Sequence, residues 1–235
     1  MYDLNDPQNY FVNIFRVLAK PEVGDIDFGF GAHAEGRGTQ ALGDASHAEG
    51  HSNIAGGRYS HVEGKDNLAQ YCSHAEGHTN QSLGYYSHTE GWQNQAIGNG
   101  SHAEGKKTIA KSTYSHAEGE ETLGSGKWSH AEGYKTEAKG DGSHTEGNYT
   151  FAKGKYSHAE GGLSPDAEMF LQQEGELYNT TAFGKASHAE GGTTHATGDY
   201  SHAEGVETDG NGWASHAEGY WTFAAKCAHA EGSDT

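Results

Sequence analysis

Residues 39–50 read Thr-Gln-Ala-Leu-Gly-Asp-Ala-Ser-His-Ala-Glu-Gly, and the recurrence of this stretch decides the fold. The pattern Ser-His-Ala-Glu-Gly-x-x-Thr-x-Ala-x-Gly-x-x returns with a fourteen-residue step, as from His33 to His47 and His61, and this step is one residue shorter twice and sixteen longer once. Fourteen copies of His-x-Glu-Gly cover nearly all of the chain after residue 32. A short fixed period of this kind is typical of a solenoid, in which each repeat is one structural unit.

Each repeat contains two short segments in which small residues alternate with other residue types. Ser46 and Ala48 alternate with His47 and Glu49, and residues 39–43 alternate in the same way. A period of two indicates β-strands, and the glycines between the segments permit tight turns. Each repeat is therefore predicted to be one coil of two strands that stacks on the next by parallel pairing at about 4.8 Å. Fourteen coils would form an all-β rod on the order of 65 Å long.

The faces of these strands are predicted from residue size. A coil of two strands is too flat to hold large side chains, so the small residues are placed inside it and the motif His and Glu outside. The outer positions of the second strand vary freely and we expect them to lie in solvent; these positions are Gln40, Ile54, Leu68, Gln81, Gln95, Ile109 and Glu137.

The outward His and Glu are unvaried in all fourteen copies, which predicts that they pack against the same face of other chains. Exposed ion pairs contribute only about 0–1 kcal/mol, whereas breaking a buried pair costs about 3–5 kcal/mol. We therefore predict a homotrimer whose seam is made of charged pairs, with the His pKa raised and the Glu pKa lowered. The predicted seam residues are His47, Glu49, His61, Glu63, His74, Glu76, His88, Glu90, His102, Glu104, His116, Glu118, His130, Glu132, His144, Glu146, His158, Glu160, His188, Glu190, His202, Glu204, His216 and Glu218.

Charge and composition exclude several classes of partner. The formal net charge is −18 with only 15 Lys and Arg, which argues against nucleic acid, because tracking phosphates needs clustered basic residues. No apolar run is long enough for a transmembrane helix, so membrane insertion is not expected. The N-terminus lacks the basic and apolar regions of a signal peptide. The two cysteines, Cys72 and Cys227, are too far apart in the array to suggest a disulfide framework.

The repeat resembles the head repeat of YadA-type trimeric adhesins, in which the first strand reads Ser-Val-Ala-Ile-Gly. In this chain His and Glu stand where that family has Val and Ile. The resemblance implies a left-handed parallel β-roll and an intertwined homotrimer. The His-Ala-Glu-Gly version is also similar to segments of phage tail fibres and appendages. It implies a rigid spacer or host-attachment module in a virion, with the head of a bacterial cell-surface adhesin as the alternative.

Two segments depart from the repeat. Residues 1–30 are interpreted as an N-terminal cap or attachment segment, and residues 31–235 as the β-roll domain. A loop is inserted at about residues 162–178, and a helix start at Ser164-Pro165 is expected in it. This loop is interpreted either as a binding loop or as a decorative loop or trimer clasp. Possible receptor contacts, to a cell-surface protein or glycan, are Met169, Phe170, Tyr178, Trp92 and Trp128.

Six repeats carry an aromatic residue two positions before the motif His, and the two shortened repeats carry a cysteine there. Packing at the corner of the coil is the favoured interpretation, and a carbohydrate-binding ladder is the alternative. The aromatic residues are Tyr59, Tyr86, Tyr114, Trp128, Tyr156 and Tyr200.

Three functional classes remain in competition. A structural fibre is favoured. A metal-binding rod is the second possibility, because stacked His and Glu supply ligands suited to Zn, Ni or Fe, although we expect no regular metal site and no cofactor. An enzyme is not expected, because a catalytic constellation occurs once in a chain and this pair occurs fourteen times. No nucleophile elbow, phosphate-cradling loop or His-Glu-x-x-His motif is present.

Overall fold

The computed structural model describes residues 26–27, 29–162 and 179–235, and in this part of the chain the regular structure is all β. The strands form two sets that alternate along the chain. The odd-numbered set is β1 Ile26–Asp27, β3 Gln40–Ala41, β5 Ile54–Ala55, β7 Leu68–Ala69, β9 Gln81–Ser82, β11 Gln95–Ala96, β13 Ile109–Ala110, β15 Leu123–Gly124, β17 Glu137–Ala138, β19 Thr150–Ala152, β21 Thr180–Ala182, β23 His195–Ala196, β25 Asp209–Gly210 and β27 Phe223–Ala224.

The even-numbered set carries the His-x-Glu-Gly motifs, and we call it the motif sheet. Its strands are β2 His33–Arg37, β4 His47–His51, β6 His61–Lys65, β8 His74–His78, β10 His88–Trp92, β12 His102–Lys106, β14 His116–Glu120, β16 His130–Tyr134, β18 His144–Thr145, β20 His158–Gly161, β22 His188–Gly192, β24 His202–Val206, β26 His216–Tyr220 and β28 His229–Ser233. The odd-numbered strands form the second sheet.

Each sheet has fourteen parallel strands in the order of the repeats. Pairing is in register, so that His88 in β10 lies between His74 in β8 and His102 in β12. The long repeat does not disturb this register, because β20 pairs directly with β22 and β19 with β21. The prediction of a parallel β-solenoid with one coil per repeat is confirmed.

The interior consists of the small residues, as predicted. Ala48, Ala103 and Ala41 are completely buried, and Val62, Thr89 and Thr145 fill the position of Ala48 in their own coils. The motif serine turns its hydroxyl inward at the corner, where Oγ of Ser46 donates to the carbonyl of Gly43 at 2.6 Å. Small side chains thus give a core so thin that the buried serine hydroxyls reach backbone acceptors, as burial of polar groups requires.

The stacking explains two glycines that recur in most coils, although Gln70, Ser112 and Ala225 replace the second one in three coils. Gly191, the motif glycine of β22, has a φ of +110°, and a Cβ there would lie 2.0 Å from the carbonyl oxygen of Gly205 in the next coil. At the opposite corner of the coil, a Cβ on Gly43 would lie 2.0 Å from the carbonyl oxygen of Gly57. These close approaches explain why both glycines recur with the period of the coil.

Four consecutive coils contain a buried asparagine at the start of the second strand, namely Asn53, Asn67, Asn80 and Asn94. The amide of Asn80 donates to the carbonyls of Glu76 and Gly91, and its oxygen accepts the backbone N–H of Asn94 at 2.8 Å. Other coils place threonine here, and Oγ1 of Thr136 donates to the carbonyl of Glu132 at 3.1 Å. The asparagines therefore form an internal hydrogen-bond ladder across coils.

The outer positions of the second sheet differ from the expectation of a solvated face. Ile54, Leu68, Gln81 and Gln95 are buried, and Gln40, Ile109 and Glu137 are half-buried. In-register stacking accounts for part of this burial, because the residues at the same position in the coils above and below cover each side chain. Sequence variation at these positions was therefore a poor guide to exposure.

The predicted terminal segment and insertion lie almost wholly outside the described residues. Strand β1 pairs with β3, so the second sheet already begins within the segment interpreted as a cap, and the boundary at residue 31 stays a prediction. The expected helix at Ser164-Pro165 and the contacts Met169, Phe170 and Tyr178 also lie outside the described residues. The described ranges contain no helix of the length and apolarity that crossing a membrane requires.

Candidate functional site

The outer face of the motif sheet carries two unbroken rows of chemistry-bearing side chains. Because Ala48 and its equivalents point inward, the residues on either side of it point outward. In-register pairing then places each motif His over the next and each motif Glu over the next. We call these rows the histidine column and the glutamate column, and the glutamate column consists of the Glu two positions after each motif His. The histidine column consists of His33, His47, His61, His74, His88, His102, His116, His130, His144, His158, His188, His202, His216 and His229.

The imidazoles of the histidine column are stacked face to face. From His47 to His229, successive ring centroids are 4.6–4.9 Å apart and the rings are within 15° of parallel. Only the first step, from His33 to His47, is tilted, with the centroids 5.3 Å apart and the ring planes at 55°. The strand spacing fixes this geometry, so the column is continuous across both shortened coils and the long insertion.

The predicted His–Glu pairs are close within one chain only in some coils. The Nε2–carboxylate distance is 3.5 Å in the pairs of His102 and His158, 3.8 Å for His130–Glu132, and 4.0 Å for His47 and His202. His130 also reaches the preceding coil, where Glu118 Oε1 lies 3.1 Å from its Nε2 at hydrogen-bonding distance. Among the described residues, the motif pairs of His61, His74, His88, His116, His144, His188 and His216 do not come within ion-pair distance.

Within a single chain, the side chains on this face are partly exposed to solvent. The side chains of His102 and Glu104 are 35% and 37% exposed. Yet Nε2 is buried and has no hydrogen-bond partner in several of the rings, and a buried polar atom of this kind costs free energy. Such rings are His47, His74, His88, His102, His116, His144, His158, His188, His202 and His216. The face is therefore chemically incomplete within one chain.

The direction of the histidine pKa shifts is opposite to that expected of charged pairs. Burial, and after it the neighbouring imidazoles of the column, lower the pKa of His74, and the same two causes act on His116 and His144. The pKa values of His102, His188 and His202 are lowered in the same way. Rings stacked at 4.7 Å repel one another when protonated, so in one chain the column favours neutral imidazole.

Glu160 in the glutamate column shows the matching effect. Burial, followed by the charges of Glu190 and Glu146, raises the pKa of Glu160. Like charges are brought together by the in-register stacking, and neutral imidazoles do not compensate them. At Glu160 a poorly compensated carboxylate therefore lies beside the stacked imidazoles.

The corners of the coils carry the exposed aromatic residues. Trp128 is 61% exposed and has a φ of 56°, and Tyr59 and Tyr200 take the same conformation. A Cβ at Gly100 would lie 2.6 Å from the ring of Tyr114, so that ring covers the corner of the preceding coil. This contact fits the predicted corner packing, and the remaining exposure leaves the rings accessible.

Trp92 is the last residue of β10, at the opposite end of the motif-sheet strands from the aromatic corner, and it is 43% exposed. The ammonium of Lys106 lies 5.4 Å from its ring centroid, a cation–π contact with the next coil. At the same end of the strands, the ammonium of Lys107 pairs with the carboxylate of Glu121 at 2.9 Å. Neither contact was predicted from the sequence, although the opposite charges of Lys107 and Glu121, one repeat apart, were a signal for the second.

Both cysteines occupy the aromatic corner position. Cys72 and Cys227 have φ values of 52° and 56°, like the tyrosines in equivalent coils, and both are free thiols.

A comparison with protein-family models finds no match, and a comparison with curated proteins finds none either.

Proposed function

We propose that this chain is the rod-shaped module of a trimeric fibre, which acts in host attachment or as a rigid spacer, and that it is not an enzyme. The observation that carries the proposal is the outward His-Glu face, which is unvaried through fourteen in-register layers. A solenoid needs small inward residues and glycines, but it needs no particular residue on an outward face. Retention of both residues in every layer is explained by a partner surface that repeats with the same period.

The partner surface proposed is the same face of two further chains. Three parallel rods around one axis would bring three imidazoles and three carboxylates into each layer. The proposed seam uses neutral imidazoles, because burial and neighbouring imidazoles within one chain already lower the pKa of His116 and His144. Each ring keeps one N–H that can donate to a carboxylate of a neighbouring chain, a charge-assisted hydrogen bond.

The setting we propose is a phage tail fibre or appendage in the virion, and the head of a bacterial surface adhesin is the alternative. Fourteen layers at about 4.8 Å give a stiff rod of about 65 Å, a suitable dimension for a spacer or a receptor-presenting head. The proposed receptor contacts are the accessible rings of Trp92 and Trp128, which lie at opposite ends of the motif-sheet strands. Exposed aromatic side chains are enriched at binding hot spots and stack on sugar rings.

Binding of the labelled protein to a panel of fixed bacterial cells and to a glycan array tests this function. Trp92→Ala and Trp128→Ala should lose most of the binding while the fold is retained, and Trp213→Ala, an exposed tryptophan outside the proposed contacts, should retain it. Rods of the expected length in electron micrographs that bind nothing would support a spacer. Globular particles would contradict both roles.

A further inference from the structure

The two columns bring nitrogen and oxygen donors together between successive coils. The side-chain donor atoms of His116, Glu118 and His130 all lie within 4.8 Å of one another. The same arrangement repeats one coil at a time in the sets named next. They are His130–Glu132–His144, His144–Glu146–His158, His158–Glu160–His188 and His188–Glu190–His202.

Unpaired nitrogen atoms point to a missing ligand in these sets. Nε2 of His116, His144, His158, His188 and His202 is buried and has no hydrogen-bond partner. A neutral imidazole has one ring nitrogen with a free lone pair, and that nitrogen is the one that binds a metal ion. In-register strands hold successive rings at a fixed spacing, so the neighbouring coils from His144 to His202 each offer one such nitrogen. Nε2 of His130 instead lies 3.1 Å from Oε1 of Glu118, so His130 must release this contact to bind an ion.

Charge favours a cation at the same place. Each set contains a carboxylate, the carboxylates are stacked in a row, and the chain has a formal net charge of −18. Only 15 Lys and Arg are present in the whole chain, and several of those at the ends of the motif-sheet strands already pair with carboxylates, as Lys106 does with Glu120. A dipositive ion bound between coils would reduce the repulsion along the glutamate column.

We propose that the His–Glu–His sets bind divalent transition-metal ions of the Zn²⁺ type, each held by two imidazole nitrogens and one carboxylate oxygen. This mixed donor set suits zinc, nickel or copper, whereas Mg²⁺ and Ca²⁺ prefer oxygen ligands alone. Zinc–nitrogen distances of about 2.0–2.1 Å place the two nitrogens of a tetrahedral site about 3.4 Å apart. The facing rings tilt toward each other to reach that distance, while the backbone register stays fixed. Water completes the coordination.

The stacking also sets the stoichiometry. Each imidazole has one lone pair and serves one ion, but each inner histidine belongs to two overlapping sets. Neighbouring gaps therefore exclude one another, and ions occupy alternate gaps about 9.6 Å apart, twice the strand spacing. From His116 to His202 at most three ions are bound, between His116 and His130, His144 and His158, and His188 and His202.

Each set comes from a single chain, so the inference does not depend on the proposed trimer. All seventeen histidines of the chain lie among the described residues, and three of them, His51, His78 and His195, are outside the column. Two of these three supply a matched control. The double substitution His144→Gln/His158→Gln removes one complete site, and no regrouping of the remaining column histidines restores it. His51→Gln/His78→Gln removes two imidazoles that lie outside the column.

The experiment is a titration of the EDTA-treated, dialysed protein with ZnCl₂ by calorimetry, together with elemental analysis after desalting. The His144→Gln/His158→Gln protein should bind one Zn²⁺ per chain fewer than the parent, and the His51→Gln/His78→Gln protein should bind the parental number. Zinc should raise the melting temperature of the parent, and an equal concentration of MgCl₂ should not. Equal stoichiometry in the two double variants, or no zinc retained by the parent, would overturn the proposal.

Glu118→Gln, which keeps the size and removes the charge, provides a second test should the double variant fail to fold. Weaker zinc binding by this variant supports the site, and unchanged affinity contradicts the proposed carboxylate ligand. The mass of the parent in EDTA, measured in parallel, reports on the trimer alone. Loss of zinc binding with a trimeric mass would refute the metal sites and leave the proposed function standing.

Discussion

Replacing Asn80 with alanine removes three hydrogen bonds from the interior of the rod. Its amide donates to the carbonyls of Glu76 and Gly91, and its oxygen accepts the N–H of Asn94. The side chain is completely buried, so water does not replace the lost partners. At the lower bound of about 1 kcal/mol for each buried group left without a partner, three groups cost about 3 kcal/mol.

Asn80→Thr is the matched control, because threonine occupies this position in other coils. Oγ1 of Thr150 donates to the carbonyl of Glu146 at 3.1 Å, whereas the equivalent hydroxyl of Thr122 has no partner. A threonine with the geometry of Thr150 restores one of the three bonds and leaves a cost of about 2 kcal/mol for the other two. Urea denaturation followed by far-UV circular dichroism, with tyrosine and tryptophan fluorescence as a second probe, measures both variants. Free energies of unfolding within about 0.5 kcal/mol of the parent for Asn80→Ala would refute the asparagine ladder as a source of stability.

Three other predictions concern stacking, protonation and the insertion. Gly191→Ala should destabilise by more than about 3 kcal/mol through steric clash and a strained φ, whereas Gly192→Ala, where a Cβ meets no atom, should stay within about 0.5 kcal/mol; equal melting temperatures would contradict this reading. Because the pKa of His102 and five other column histidines is lowered on folding, the unfolded chain binds more protons below about pH 6.5, and stability should fall with decreasing pH. Thermal melts in EDTA between pH 7.5 and 5.5 measure this, and a constant or rising melting temperature on acidification would count against the stacked neutral column. Deletion of residues 163–178 restores the ordinary repeat length between strands that already pair directly, so the far-UV spectrum should keep its shape and melting stay cooperative; loss of the β signal would show that the insertion is needed for folding.

The architecture could be predicted because the repeat states it directly. Alternation of two residue types gives strands, the constant step between motifs gives the coil, and the small residue between His47 and Glu49 identifies the inner face. The stacking of fourteen imidazoles follows from the same register. These features depend on local periodicity and on strand spacing, both of which can be obtained from one sequence.

The energetics of the outward faces could not be predicted in the same way. Charged His–Glu pairs are predicted for the assembled trimer. Within one chain, the ring of His116 stacks on that of His130 at 4.6 Å, and burial together with repulsion from neighbouring imidazoles lowers the pKa of His116. Gln81 was interpreted as solvated because its position varies, and it is buried. In both cases neighbours one repeat away along the chain determine the environment of a side chain. The charged pairs between chains of a trimer stay a prediction.

The mass of the assembly in solution tests the central claim most directly, since the His-Glu face is proposed to be covered by two further copies of the chain. Light scattering during size-exclusion chromatography, in EDTA near pH 7.5, measures it without reference to shape. The account predicts a particle with three times the 25.0 kDa mass of one chain, and this particle should persist on dilution. A stable particle of 25.0 kDa would contradict it, because the unvaried histidines and glutamates would then have no partner surface.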